Sequence, residues 1–270
     1  MAPVDIVAPV ISNVRLSADY NVLTMAAPGV GALAAPGQFL MVRPDRGTDP
    51  LLRRPFSVFE ILRDADGAPT AISILNKRAG RTTNLLYEAR EGDRVHCLGP
   101  LGRPFTVAAA PAEAWMVAGG VGLAPFATLA EALAGAGTPM TLFYGARSGG
   151  ELFYLDFFER LGARLVLATE DGSRGARARV TAPLDEALDG RAPGTILVQA
   201  CGPEPMLAAV AAVAARHGQR CEVSVERVMG CGLGGCYSCV VPVRDGGGPA
   251  HFVRSCITGP VFDAATLVWD

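Results

Sequence analysis

The sequence predicts an N-terminal antiparallel β barrel, a parallel-sheet α/β domain and a short cysteine-bearing tail. Three observations carry that prediction. Residues 1–110 hold short apolar runs separated by turn dipeptides, residues 111–225 alternate apolar strands with helical stretches, and residues 226–270 gather four of the seven cysteines around a glycine-rich run. The length of 270 residues allows about two domains, each able to bury its own core.

In the first region, strands are expected over 8–16, 21–25, 38–42, 57–62, 71–75 and 94–98. Pro28-Gly29, Pro36-Gly37, Asp66-Gly67 and Glu91-Gly92-Asp93 punctuate them, as turn residues do between strands of a small barrel. One helical piece, Thr83 to Glu88, interrupts the pattern.

The second region opens with the buried strand Trp115-Met116-Val117-Ala118, then Gly119-Gly120-Val121-Gly122 and a helix over 124–133. Further strands are expected near 140–144, 164–169, 195–200 and 221–225, and further helices near 152–161, 183–188 and 205–216. Strand and helix alternating at these spacings predict a parallel sheet with helices on both faces.

Composition excludes several functions. Lys and Arg number 24 against 26 Asp and Glu, a net charge of −2, so no general attraction to nucleic acid or an anionic membrane exists. No apolar run of about 18 residues lacks polar interruption, and the start lacks a basic stretch followed by an apolar one, so a cytoplasmic chain without a membrane span is expected.

The tail carries the most specific pattern. Cys231, Cys236 and Cys239 follow a Cys-x4-Cys-x2-Cys spacing and Cys256 completes the set, which is the plant-type ligand pattern for a 2Fe-2S cluster. Four thiolates must converge on two irons, and Gly230, Gly232, Gly234 and Gly235 permit a loop that curls without steric bulk. A zinc ribbon prefers two Cys-x2-Cys knuckles, and a disulfide framework suits a smaller exported chain. Cys97, Cys201 and Cys221 read as reduced, buried thiols.

Two glycine-bearing turns point to a dinucleotide. Gly119, Gly120 and Gly122 sit between a strand and its helix, where amides and the helix dipole favour a pyrophosphate. The alternative is that these glycines only allow close strand-helix packing. A later turn, Cys201-Gly202-Pro203, opens another helix, and in an open parallel sheet both turns belong to one crevice. Cys201 is then a polarizable residue beside a nicotinamide, or an ordinary buried thiol at a strand end. Glu170 and Asp171 end the third strand of this domain; carboxylates there accept ribose hydroxyls and repel a 2′-phosphate, which favours NAD over NADP.

In the barrel, Arg54-Pro55-Phe56-Ser57 offers a cation, a fixed bend and a hydroxyl to a phosphate or a flavin edge, although a surface arginine pair explains part of it. Thr82 and Thr83 open a short helix as possible diphosphate donors. A chemical requirement joins the pieces. Nicotinamide delivers two electrons as hydride and the cluster takes one, so a flavin between them is the economical inference, with the barrel as its holder.

Together with Gly99-Pro100-Leu101-Gly102 and the closing Arg254-Ser255-Cys256-Ile257-Thr258-Gly259-Pro260-Val261-Phe262-Asp263, these motifs resemble the ferredoxin reductase-like superfamily. Within it the likeness is to electron-transfer subunits of NAD-dependent dihydroorotate dehydrogenases. The resemblance implies FAD on Arg54, Pro55, Phe56 and Ser57, on the strand end Leu75-Asn76-Lys77 and on Thr82-Thr83; NAD(H) on the α/β domain; and a 2Fe-2S tail. It also implies a separate FMN-bearing catalytic subunit as partner, in a heterotetramer serving pyrimidine biosynthesis. Rival readings are a reductase subunit of a hydrogenase, bifurcating or other oxidoreductase complex, and a redox-sensing binding protein.

Overall fold

The computed structural model describes residues 2–269. Its first unit is a seven-stranded antiparallel sheet made of β1 (Val4–Arg15), β2 (Tyr20–Met25), β3 (Phe39–Pro44), β4 (Arg54–Ser57), β5 (Ile61–Arg63), β6 (Pro69–Lys77) and β7 (Arg94–Leu101), with helices α1 (Pro28–Gly31) and α2 (Arg81–Glu88). The order is β4-β3-β7-β1-β2-β6-β5. Residues between β4 and β5 bond to both sides: Val58 N–H donates to Gln38 O, and Phe59 N–H donates to Ser73 O of β6. That crossing curls the sheet into a barrel. It also breaks the strand expected over 57–62 in two, because those residues leave one edge to join another.

The second unit holds β8 (Glu113–Gly119), β9 (Met140–Ala146), β10 (Arg164–Thr169), β11 (Ala176–Arg177), β12 (Ile196–Cys201) and β13 (Arg220–Ser224). Its helices are α3 (Phe126–Gly135), α4 (Leu155–Arg160), α5 (Thr181–Leu188) and α6 (Glu204–Arg216). The sheet runs β11-β10-β9-β8-β12-β13, all parallel, so the winding reverses between β8 and β12. In such sheets a crevice opens at that reversal, beyond the carboxyl ends of the strands. Two helices differ from expectation for local reasons. Pro125 caps α3, so Gly120–Leu123 forms a 3-10 turn before it, and Tyr154 adopts φ 59°, which delays α4 to Leu155.

The tail forms the hairpin β14 (Val240–Val243) and β15 (His251–Arg254), the turn α7 (Ser255–Thr258) and β16 (Val261–Asp263). β16 pairs antiparallel with β13 at the edge of the large sheet. The cysteine lobe is therefore anchored at both ends by one sheet. Apolar packing ties the units together: Val22, Phe59, Leu75 and Phe105 share a core with Phe126, Leu129 and Leu133 of α3, and each buried side chain of this size contributes about 1.5–3 kcal/mol. A smaller core joins Phe39, Met41, Leu98 and Leu101 of the barrel to Met229, Cys239 and Cys256.

Candidate functional site

The four tail cysteines divide two and two. Cys231 lies beside Cys236 on the outer rim, and Cys239 lies beside Cys256 on a buried floor. A single zinc needs all four thiolates on one tetrahedron, whereas two irons take two apiece, so the arrangement fits a 2Fe-2S group. Backbone shape supports this. Gly232 (φ 72°) and Gly234 (φ 78°) bend the loop between Cys231 and Cys236, and a methyl on Gly232 would stand 2.5 Å from Met41 Cγ in β3.

The pairs differ electrically. Ser238 contacts Cys236 Sγ at 3.1 Å and accepts from Gly230 N–H, and with Cys231 it holds the Cys236 thiol down to about 6. Leu233 N–H donates to Cys231 Sγ at 3.3 Å. Burial, then the neighbouring Cys239, pushes Cys256 up to about 12. Ser238 and Arg254, whose Nη1 donates to Gly234 O at 2.7 Å, were not singled out from sequence as site residues; their place beside the tail cysteines is the signal that would have found them.

The two glycine turns do meet. A methyl on Gly122 would stand 2.1 Å from Cys201 O, and one on Gly202 would stand 3.2 Å from Gly119 Cα. Gly119, Gly122, Gly202 and Pro203 thus pack turn on turn at the reversal of the sheet. Gly120 faces the barrel instead, its methyl position 3.8 Å from Tyr20 Oη. Cys201 ends β12 with 5% of its surface exposed, and burial pushes its thiol up to about 12. It is protonated at neutral pH, so an apolar contact is the chemistry it offers. Glu170 is exposed, whereas Asp171 accepts from both the amide and the hydroxyl of Ser173, which lower its pKa and fix the turn. Of the two acids, Glu170 alone keeps a carboxylate outside that hydrogen-bonded turn.

The barrel residues separate in the same way. Arg53 forms a two-point ion pair with Asp5, while Arg54 is exposed and pairs with no carboxylate among the described residues. Phe56 and Ser57 are half-buried, opposite Leu40 and Phe39, and Pro55 lies opposite Met41. The strand bearing Arg54 is therefore one strand away from the side chain that touches the cysteine loop. Lys77 Nζ sits 5.1 Å from the centre of the Tyr20 ring, and Tyr20 Oη is buried without a hydrogen-bond partner among the described residues. Leu75 is buried in the core shared with α3.

Asn76, Thr82 and Thr83 occupy places the sequence did not foretell. Asn76 is fully buried and donates to Asn21 Oδ1 at 2.7 Å and to Thr83 O at 3.0 Å. Asn21 donates in turn to Asn13, which donates to Leu86 O, Tyr87 O and Ala89 O. This asparagine ladder pins α2 to the barrel. Thr82 is buried, and the Thr83 hydroxyl accepts from the amides of Ala79 and Gly80. Both side chains shape the helix start, and the first-turn amides remain as its free donors. A cavity of about 520 Å³ opens elsewhere between the units, lined by Leu16, Glu60, Tyr154, Arg160 and Arg174 among others; it includes none of the site residues expected from sequence.

Comparisons agree with this geometry. Residues 226–268 match the family described as the iron-sulfur cluster binding domain of dihydroorotate dehydrogenase B, and residues 116–212 match the oxidoreductase NAD-binding domain. The dihydroorotate dehydrogenase B (NAD(+)) electron transfer subunit of Desulforamulus reducens is 36% identical over 244 residues, covering 90% of each chain. That of Geobacillus kaustophilus is 36% identical over 262 residues, covering 96% of each. Among solved structures, the NADH-dependent reduced ferredoxin-NADP oxidoreductase studied for flavin-based electron bifurcation superposes with a TM-score of 0.84 at 28% identity, over 98% of this chain and 91% of that one. A Neisseria gonorrhoeae ferredoxin NADP+ reductase with bound FAD and NADP shares the fold at a TM-score of 0.66 and 17% identity, over 81% of this chain and 92% of that one. The chain belongs to the family of dihydroorotate dehydrogenase B (NAD(+)) electron transfer subunits.

Proposed function

We propose that this chain carries electrons between NAD(H) and an FMN-containing dihydroorotate dehydrogenase catalytic subunit, in a heterotetramer of pyrimidine biosynthesis. Bound FAD supplies the conversion between paired and single electrons, and the 2Fe-2S cluster supplies the single-electron route to the partner. The observation that carries this reading is the two-and-two thiol set, packed through Gly232 on Met41 of β3, beside the strand that bears Arg54.

The residues divide the work. Cys231, Cys236, Cys239 and Cys256 hold the irons. Arg54, Phe56 and Ser57 line the flavin, with Pro55 fixing their strand, Lys77 as a second cation and the first-turn amides of α2 facing the diphosphate. Leu75 and Asn76 act from behind that surface, one by packing and the other by setting the helix. Gly119 and Gly122 let the two turns close on each other so that the turn around Gly120 takes the NAD pyrophosphate, Gly202 and Pro203 shape the floor under the nicotinamide, and Cys201 excludes water there. Glu170 reads the adenosine ribose, with Asp171 holding its turn.

No helix among the described residues is long and apolar enough to cross a membrane. We assign the cytoplasm, where thiolate ligands stay reduced. Val228 (80% exposed), Leu233, Tyr237 and Ile257 are exposed on the segments that carry Cys231, Cys236 and Cys256, and we read these apolar side chains as part of the partner's docking face. The 28% identity to the bifurcating oxidoreductase favours one second reading, a subunit of another electron-transfer complex. Anaerobic co-purification decides between them. A dihydroorotate-oxidising flavoprotein at equal stoichiometry, with dihydroorotate-dependent NAD reduction, is the expected result, and a complex inert to dihydroorotate would favour the second reading.

A further inference from the structure

Arg254 ends β15 two residues before Cys256. Its Nη1 donates to Gly234 O at 2.7 Å, inside the turn between Cys231 and Cys236. Its guanidinium carbon lies 4.8 Å from the centre of the Tyr237 ring, next to Cys236. Backbone, aromatic face and chain connectivity therefore fix one guanidinium against the ligand loop from three directions. The side chain is half-buried and belongs to no ion pair among the described residues. The other nearby arginine, Arg227, pairs with Glu204. An arginine is charged at any pH the protein meets, so a permanent positive charge with no carboxylate partner among the described residues stands against the loop that joins Cys231 to Cys236.

We infer that Arg254 is the counter-charge of the cluster, favouring its reduced, more negative state and so making the centre easier to reduce. The step is one electron passing from flavin to cluster, with no bond made or broken in the protein and no proton required. Charge near an iron-sulfur group is one of the quantities that set its potential, and partial burial protects this charge from screening. The inference rests on the cluster reading proposed above. A residue acting only as a clamp on Gly234 O would hold the loop equally well in both redox states.

The test uses the purified full chain under anaerobic conditions, with iron analysis and a redox titration following the cluster by electron paramagnetic resonance and the flavin by absorbance. Arg254→Gln keeps a donor for Gly234 O and removes the charge; Arg254→Lys keeps the charge. The expected result is full iron in both, about tenfold less favourable cluster reduction in the Gln variant, equivalent to about 59 mV for a one-electron couple, and a Lys variant near the parent. The flavin potential stays unchanged in both. An unshifted Gln variant, or equal shifts in Gln and Lys, would overturn the inference. Should the Gln variant alone lose iron, the charge is needed to hold the thiolates, which supports it; iron lost from both variants marks a clamp and overturns it. A parent protein free of iron would instead remove the cluster reading itself.

Discussion

The nucleotide crevice and the cysteine lobe use the same residue types to opposite ends. In the crevice, glycines let one turn press on another and the thiol of Cys201 is buried and held up to about 12. In the lobe, Gly232 lets the loop press on the barrel, and the thiol of Cys236 is exposed and held down to about 6. Burial and nearby donors make the difference, since an unsolvated thiol resists ionisation and a hydrogen-bonded, wetted one does not. A cysteine in a motif is thus readily ionised or held as a neutral packing group according to its surroundings.

The comparison breaks most severely at Gly122. With its methyl 2.1 Å from the Cys201 carbonyl, Gly122→Ala must push two backbone turns apart. NADH-driven flavin reduction is expected to fall at least about a hundredfold, while iron content stays near the parent's. Stopped-flow reduction and iron analysis check both halves of that statement.

A second test reads the thiols directly. In iron-free protein, iodoacetamide followed by peptide mapping should modify Cys236 orders of magnitude faster than Cys201. The sign follows from the shift: a lowered pKa means the Cys236 rate climbs as pH rises through about 6 and then levels, whereas Cys201 stays unreactive until about 12. Equal rates at pH 7 would contradict the contrast.

The barrel gives an intermediate effect. Asn21→Ala removes the middle of the ladder, leaving Asn13 Oδ1 without its donor and one buried N–H of Asn76 without its acceptor, which costs about 1–3 kcal/mol. FAD should dissociate about tenfold more readily as α2 loosens, measurable by flavin fluorescence on dilution. The smallest effect is expected for Gly232→Ala. The clash there falls on the buried side chains of Met41 and Leu101 rather than on backbone, so with the strain at φ 72° stability falls by about 1–2 kcal/mol, read by thermal denaturation of the holoprotein.

These contrasts show how far the sequence reaches. The cluster spacing was legible because ligand geometry demands fixed intervals, and the alternation after residue 113 was legible because a parallel sheet demands crossovers. Side-chain roles within each motif were less so. Arg53 and Arg54 are neighbours in sequence, yet only the fold gives Asp5 to one of them. Asn76 reads as a ligand-facing strand end until Asn13 and Asn21 are brought beside it across β1 and β2. The return of β16 to the large sheet was hidden because three residues carry too little pattern to reveal their partner.

The central claim is that flavin reduction and cluster chemistry reside in separate parts of one chain, joined across β3 and β4. Its most direct measurement is anaerobic NADH titration of the parent and of Cys236→Ser, with visible absorbance for the flavin and electron paramagnetic resonance for the cluster. The account expects NADH to bleach the flavin in both proteins and to raise a cluster signal in the parent alone. Flavin that no longer responds to NADH in a folded, FAD-replete Cys236→Ser protein would contradict it.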